Sequence, residues 1–513
     1  MAKAPVASNK ESAFAELGLA KTVAAVCDEI RQLYLWDEIP WVVGYSGGKD
    51  SSAVLQLIWL AIRELPPEQR RKPIHVISTD TLVEQPVVAA WVTASHLKMQ
   101  AAATEQGLPI TPHKLTPDVK DTFWVNLIGK GYPAPRKLFR WCTSRMKINP
   151  SNNFIRSVVR ESGEAILVLG TRKAESQRRA LGMAKLEEKR VRERLTPNKN
   201  LPNSLVYTPI EDWSNDDVWL FLMQVKNPWG HTNKSLLGMY QGASADGECP
   251  LVVDTTTPSC GNSRFGCWVC TLVDKDRSME AMIKNDDEKV WMTPLLELRN
   301  DLADFDKEPE RRDYRRMSGR VQLFHDGLVR GPYTKEAREH WLRRVLEAQR
   351  DIREVGPDEF REIELISMPE LHEIRRIWLY EKHEFDDSLP AIYQEVLGEP
   401  LPVIASDDNL LRSEDWSILQ EVCGDDPEFF QLQASLLDIE REFRGMSRRA
   451  GIYEALDDRL RASQYGSEEE ALAIRQDEQQ RQKDAEKIEE PTSFVQKTLF
   501  ESAMIEEDDE VVL

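Results

Sequence analysis

Trp41-Val42-Val43-Gly44-Tyr45-Ser46-Gly47-Gly48-Lys49-Asp50-Ser51-Ser52 is the stretch whose reading decides the fold. Three apolar residues, Trp41 to Val43, suit a short buried strand. Ser46, Gly47 and Gly48 suit a turn, and a helix is expected from about Asp50 to Glu64. A strand that runs through glycines into a helix bares backbone N–H groups at the helix start, where the helix dipole also favours an anion. Gly47 and Gly48 let the main chain approach such an anion without a Cβ in the way. Ser46 and Ser51 add hydroxyls, Lys49 adds a cation, and Asp50 is placed to cap the helix or hold a magnesium ion. The wider G-x-x-x-x-G-K-[ST] spacing of a Walker A loop is not present.

Working outward, Val23, Val26, Ile30 and Leu33 give residues 20–35 an amphipathic helical period. Ile74 to Ser78 and Ala165 to Leu169 read as two further buried strands. Helices are expected over Pro86 to Gln106 and Asp118 to Ile128, with a short extended piece near Ile110. Strands alternating with helices imply a parallel sheet covered on both faces. Ligands of such sheets bind beyond the carboxyl ends of the strands. Tyr45–Ser46, Thr79–Asp80 and Gly170–Thr171 should therefore line one site.

Past the strand ending at Gly170 comes Thr171-Arg172-Lys173-Ala174-Glu175-Ser176-Gln177-Arg178-Arg179. Arginine offers a planar fork of donors matched to phosphate oxygens, which makes Arg172 and Arg178, with Glu175, candidates for substrate contact. Further on, Tyr207-Thr208-Pro209-Ile210-Glu211-Asp212-Trp213-Ser214 leads to Asp216, Asp217, Val218 and Trp219. Ser214 is expected to cap a helix through Leu222.

Four of the seven cysteines fall between Cys249 and Cys270, an uneven placement that favours metal binding over disulfides. Cys260, Cys267 and Cys270 form C-x6-C-x2-C, and Cys142 lies upstream in Arg140-Trp141-Cys142-Thr143-Ser144-Arg145. Spacing alone leaves a tetrahedral zinc and a [4Fe–4S] cluster equally open. Cys249 has no assigned role, and Cys27 and Cys423 have no companions nearby.

The loop SGGKDS resembles the pyrophosphate loop of the ATP pyrophosphatases, enzymes that cleave ATP between the α and β phosphates. GTRKAESQRR with the Tyr207–Trp219 segment is similar to the phosphoadenylylsulfate reductase branch of that superfamily. Together with RWCTSRMKI and CGNSRFGCWVC, these motifs resemble the DndC family, sulfurtransferases of bacterial Dnd-type DNA phosphorothioation, over about residues 30–300. The resemblance implies an adenine-nucleotide α-hydrolase-like α/β sheet and ATP with Mg2+ at Tyr45, Ser46, Gly47, Gly48, Lys49, Asp50, Ser51 and Gly170. It gives catalytic roles to Asp50, Asp80, Arg172, Glu175 and Arg178. It also implies a [4Fe–4S] cluster on Cys142, Cys260, Cys267 and Cys270. The implied partners are DNA, a cysteine desulfurase as sulfur donor, and the companion proteins DndD and DndE. True reductases carry a catalytic Glu-Cys-Gly near the C-terminus. After Cys270 this chain has only Cys423, in Glu421-Val422-Cys423-Gly424-Asp425, so reduction of a sulfonucleotide by that route is not expected. Two other readings are tRNA thiolation and a non-catalytic, metal-stabilised nucleotide-binding scaffold of a DNA-processing complex.

A net charge of −20 conceals a division. Residues 1–300 carry 38 basic and 34 acidic groups, residues 301–513 carry 29 and 53, and residues 130–200 alone carry 18 and 6. The middle segment is thus the expected polyanion contact, and the acidic half is expected to dock a basic partner or to screen the basic segment. No apolar run reaches eighteen residues and no secretory signal opens the sequence, so a cytoplasmic protein without membrane contact is expected. Four parts are expected: a helical segment over 1–36, the nucleotide and iron–sulfur domain over 37–300, a helical acidic domain over 301–465, and a fraying helix with a disordered tail over 466–513. Within the tail, Gln496, Leu499 and Phe500 have the spacing of sliding-clamp-binding pentapeptides.

Overall fold

The structure is a computed structural model. It describes residues 12–192, 194–243, 265–324, 327–382, 384, 386–402, 413–424, 426–446, 448–463, 465 and 467–489. Cys249, Cys260 and the pentapeptide residues Gln496, Leu499 and Phe500 lie outside the described residues.

By packing, the chain divides into two compact units, Met1–Arg311 with Tyr333–Ala405, and Arg312–Pro332 with Ser406–Leu513. In the first unit, helix α1 (Gly18–Trp36) buries Cys27, Ile30 and Tyr34, three residues on one helical face. It leads into β1 (Trp41–Gly44), then α2 (Lys49–Arg63), β2 (Ile74–Thr79), α3 (Pro86–Glu105) and β3 (Ile110–Leu115). After α4 (Asn149–Ser162) come β4 (Ala165–Val168), α5 (Gln177–Glu187), β5 (Thr196–Pro197), β6 (Ser204–Tyr207), α6 (Asn215–Gln224) and α7 (Asn233–Gly242).

The strand order is β3-β2-β1-β4-β6-β5, parallel throughout except for β5 against β6. This is the expected α/β sheet of adenine-nucleotide α-hydrolase type, with helical structure C-terminal to it. Trp41 and Val43 pack into one core with α1, α2 and α6, whereas Val42 points into another with Ile155 and Val158 of α4. Burial on both faces accounts for unbroken apolar strands in place of alternating ones. The chain leaves β1 for β2 on one side and returns to β4 on the other, so the order reverses beside β1, the position at which such sheets bind their ligands.

The helix expected over Asp118 to Ile128 forms in two irregular pieces, a tight 3-10 turn at Val119–Asp121 and a wide π-helical turn at Val125–Gly129. Asn126 donates to the carbonyls of Thr122 (2.7 Å) and Lys120 (3.3 Å), competing for acceptors that a regular helix would use. Gly129 instead lies so close to Ile377 that a Cβ would meet its side chain at 3.1 Å.

Packing also divides the chain elsewhere than at residue 300. The region of the cysteines shares one core with α8 (Arg277–Asn285), α9 (Thr293–Leu302), and, beyond the short α10 (Glu308–Arg311), with α11 (Lys335–Val355), α12 (Met368–Arg376) and α13 (Ser388–Leu397). The indole of Trp124 donates to the Leu365 carbonyl (2.7 Å) and that of Trp378 to the Ile128 carbonyl (2.9 Å), tying the two stretches together in the interior. The second unit pairs the two-residue strands β7 (Leu323–Phe324) and β8 (Gly327–Leu328). Val321 packs there with Tyr465 and Ala471, and Arg330 makes a two-pronged bond to Glu468 at 2.7 Å on each arm. Its helices include Pro427–Arg444 and Glu468–Glu489.

Candidate functional site

The glycine turn is built by bonds within itself. Ser51 Oγ donates to the Gly48 carbonyl (3.1 Å) and accepts from the Ser46 N–H (3.2 Å), so its hydroxyl closes the loop over the start of α2. Gly47 sits at φ +74°, and a Cβ there would meet Val92 Cγ2 at 2.6 Å. From α3, the Trp91 indole N–H donates to the Gly47 carbonyl (3.2 Å). The Tyr240 hydroxyl of α7 accepts from the Lys49 N–H at 3.4 Å. Below the turn, Tyr45 is buried, and burial pushes its phenol pKa up. Its carbonyl accepts from Ser78 Oγ (2.6 Å), which contacts His96 Nε2 (2.7 Å). With the Ser78 hydrogen committed to Tyr45, His96 Nε2 is the donor of that pair. Burial lowers the His96 pKa to about 4, so the ring is neutral at pH 7.

The end of β4 presses directly on this turn. A Cβ on Gly170 would stand 2.9 Å from the Asp50 carbonyl carbon and 3.1 Å from the Ser51 nitrogen. Two residues on, Arg172 is only 3% exposed. Its Nε donates to Asp50 Oδ1 (2.7 Å) and its Nη1 to the Trp213 carbonyl (3.2 Å). Lys49 Nζ holds the other Asp50 oxygen at 2.9 Å. Glu175 turns back to accept from the Arg172 N–H (2.8 Å) and pairs with Arg179. The structure therefore joins Asp50, Arg172 and Glu175 in one network, while Arg178 is exposed. Ser214 caps α6 as expected, accepting from the Asp217 N–H at 3.1 Å.

At the end of β2, Asp80 pairs with Lys114 (2.8 Å) and accepts from the Leu82 N–H (2.8 Å), in a turn where Leu82 adopts φ +63°. The next residues run antiparallel to the thiol turn. Trp268 N–H donates to the Val83 carbonyl (3.0 Å) and Gln85 N–H to the Gly266 carbonyl (3.4 Å), with Glu84 opposite Cys267. Thr81 Oγ1 lies 3.3 Å from Cys267 Sγ and 3.0 Å from Glu84 Oε1, and Lys147 Nζ is 3.6 Å from Glu84. Phe265, two residues before Cys267, packs edge-on to Tyr240 at 4.7 Å. The thiol turn and the glycine turn are thus linked through one tyrosine.

Burial pushes the Cys267 thiol up to about 12 and raises Cys142 as well. Lys147 is raised by the charge of a Cys267 thiolate first, with Glu84 and Cys270 adding to it. Arg299, fully buried on α9, donates to the carbonyls of Cys270 and Asp274 (3.0 Å each) and of Val273, clamping the chain that follows the second thiol. Among the described residues no three His, Cys, Asp or Glu side chains converge on a single-ion position. Cys142, Cys267 and Cys270 are the expected metal ligands that fall among the described residues, and Lys147 lies beside the Cys267 turn.

Much of the basic segment is spent internally. Arg136, Arg145, Lys147, Arg172, Lys173, Arg179, Arg190, Arg192 and Arg194 all pair with carboxylates. Counting charges along the chain missed this, because partners such as Asp37, Asp121 and Glu308 lie outside the segment. Trp91, Tyr240, Thr81 and Arg299 were missed too. Nothing in a linear motif marks a residue that reaches the site from another element.

Residues 40–272, a little under half of the chain, match the model of the phosphoadenosine phosphosulfate reductase domain, to which this part of the chain is similar. An uncharacterized protein of Methanocaldococcus jannaschii is 24% identical over 262 residues, 51% of this chain and 42% of that one. The chain thus spans less than half the length of that relative. Among solved structures, the phosphoadenylyl-sulfate reductase of Candida auris is 12% identical, over 41% of this chain and 86% of that one, with a TM-score of 0.25. FMN adenylyltransferase of Candida glabrata is also 12% identical, over 47% and 64%, with a TM-score of 0.25. Among the described residues no helix is long and apolar enough to cross a membrane.

Proposed function

We propose, from the premise of a phosphoadenosine phosphosulfate reductase-like domain at residues 40–272, that this chain is an ATP-dependent sulfurtransferase acting on a DNA backbone phosphate. One observation carries the reading. The thiol turn is stitched by main-chain bonds to the residues just past β2, at the same end of the sheet as the glycine turn. In this reading, activation by a nucleotide and delivery of sulfur would take place at one end of the sheet.

Ser46 to Ser51 would hold the phosphates of ATP through N–H groups, hydroxyls and the Lys49 cation. Mg2+ would enter with them, and Asp50 and Asp80 are the carboxylates at hand. Each now holds a lysine that the metal could replace, Lys49 and Lys114 respectively. Arg172 keeps Asp50 in place through that exchange. An oxygen of the DNA phosphodiester attacks the α-phosphorus, and pyrophosphate leaves with the broken α–β bond. The DNA phosphorus then carries AMP as a leaving group. A sulfide-level nucleophile forms the P–S bond as the P–O bond to AMP breaks, so no net oxidation occurs. Neutralising charge at the crowded phosphates is the main contribution of Lys49 and the turn. Cys142, Cys260, Cys267 and Cys270 would hold a [4Fe–4S] cluster, which would supply thiophilic iron and a relay for electrons. The sulfur donor in this reading is a cysteine desulfurase, whose persulfide sulfur takes two electrons from an external reductant, a dithiol or a low-potential electron carrier, to reach the sulfide level before it attacks phosphorus. DndD- and DndE-type proteins would be its companions.

Asp50→Ala is expected to abolish DNA-dependent pyrophosphate release while leaving iron content and visible absorbance intact. Cys267→Ser should bleach the absorbance of anaerobically purified protein and still fold. Retention of both colour and phosphorothioate formation in Cys267→Ser would refute the assignment, as would a colourless wild-type protein containing zinc.

A further inference from the structure

Eight cations of residues 130–200 stand exposed without a carboxylate partner among the described residues: Lys137, Arg140, Arg156, Arg160, Arg178, Lys185, Lys189 and Lys199. Two of them flank an apolar pair. Arg136 and Phe139 exchange both backbone hydrogen bonds, N–H to carbonyl at 3.1 and 2.9 Å, which leaves Lys137 and Leu138 as the tip of a two-residue hairpin. Leu138 is 101% exposed and Phe139 44%. Arg140 Nε donates to the Lys137 carbonyl at 3.2 Å, folding its stem along the turn.

The foot of this hairpin is rigid. Thr271 Oγ1, next to Cys270, donates to the Pro135 carbonyl (2.6 Å), and the Trp141 indole to that of Pro133 (3.0 Å). Arg136 pairs with Glu308, and Trp141 stacks on Phe123 at 5.4 Å. Cys142 follows Trp141 directly. A fully exposed leucine on a pinned two-residue turn stands free of any core, and its position is fixed relative to two of the thiols.

We propose that Lys137–Arg140 is a nucleic-acid wedge at the rim of the thiol site. Leu138 and Phe139 press against the faces of bases while Lys137 and Arg140 take the flanking phosphates. Charge complementarity selects a polyanion over a protein of mixed charge: among the described residues eight cations of the segment stand exposed without a carboxylate partner, and of these Lys137 and Arg140 frame the apolar pair. Apolar side chains that unstack a base step, flanked by cations, are the usual means of holding a bent backbone. A wedge fixed to Cys142 and Cys270 sets which phosphate reaches the sulfur. The inference rests on the proposed action on DNA and adds the element that grips it.

The test uses the full chain and a DNA duplex carrying 2-aminopurine, titrated at several salt concentrations. Lys137→Gln with Arg140→Gln should lower the slope of log affinity against log salt by about 2. Leu138→Ser with Phe139→Ser should keep that slope, remove the 2-aminopurine brightening, and weaken binding about tenfold or more. All four positions are exposed, so ATP–pyrophosphate exchange equal to wild type will certify the nucleotide site. If wild type brightens the probe and both variants match it in slope, affinity and brightening, the wedge is overturned while action on DNA stands. Variants that bind DNA normally but no longer accept sulfur from a desulfurase would make the tip a protein dock and overturn it as well. Should wild type bind no DNA even at low salt, the proposed substrate fails and the wedge with it.

Discussion

Replacing Gly47 with alanine should cost several kcal/mol, whereas the same change at Gly48 should cost little stability and still remove nucleotide. Gly47 lies at φ +74°, where an L side chain costs about 1–2 kcal/mol. Its new methyl would stand 2.6 Å from Val92 Cγ2 and 3.3 Å from Trp91 Cδ1, an overpacking worth about 1–3 kcal/mol more. Together these give about 2–5 kcal/mol. With a urea m-value of ~3 kcal/mol/M for a large unit, the midpoint should fall by about 0.7–1.7 M. Gly48 has φ −82°, and its methyl would find only Tyr240 Oη at 3.3 Å and Ser46 Oγ at 3.5 Å. As the residue preceding α2 it should lose no more than about 1 kcal/mol. The methyl would nevertheless fill the space in which a phosphate meets the bare N–H groups. Urea unfolding paired with titration of a fluorescent ATP analogue separates the two effects. A Gly47→Ala protein within 1 kcal/mol of wild type and unchanged in affinity would refute the argument. So would a Gly48→Ala protein that is equally destabilised.

Arg172→Met should destabilise by about 3–5 kcal/mol, because Asp50 and the Trp213 carbonyl lose a buried partner, and Arg172→Lys should recover little of it for want of a planar fork. Chemical denaturation of the three proteins checks this. His96 has a depressed pKa, so its contribution is whole above about pH 6.5 and is lost as pH falls toward about 4. Over that window wild type should lose stability more steeply than His96→Gln, by at most ~1.4 kcal/mol per pH unit, as read from urea midpoints at half-unit steps. A fragment ending at residue 300 should expose the face that Trp341, Leu346 and Ile374 cover and aggregate by size exclusion, while residues 1–311 joined by a short linker to 333–405 stay monodisperse.

What could be read in the residues was local. The run from Trp41 to Ser52 foretold a strand, a turn and a helix because each residue's conformational preference agrees with its neighbours'. The parallel sheet followed from apolar runs too short for helices. The cysteines came with a spacing but without a location. Only the pairing of 266–268 with 83–85 brings Cys267 to the end of β2, and no pattern in either segment announces it. The basic segment read as a contact surface because charge along a chain says nothing of the carboxylates that fold onto it. Likewise Arg299 looks like any helical arginine until three carbonyls converge on it. The extent of the first unit escaped because α11 to α13 carry charged outer faces, and their one apolar stripe covers a surface made earlier in the chain.

The second unit draws residues 312–332 from the middle of the chain and the rest from its end. Arg330 meets Glu468 across 138 residues. At roughly 5–20 residues per second of synthesis, the hairpin waits about 7–28 s for its partner to leave the ribosome. During that interval Val321 and Leu328 stay uncovered while the flanking stretches are already free to collapse. Newborn chains of this protein should therefore be clients of a holding chaperone at that hairpin, and a pause in translation after residue 405 should lengthen the association.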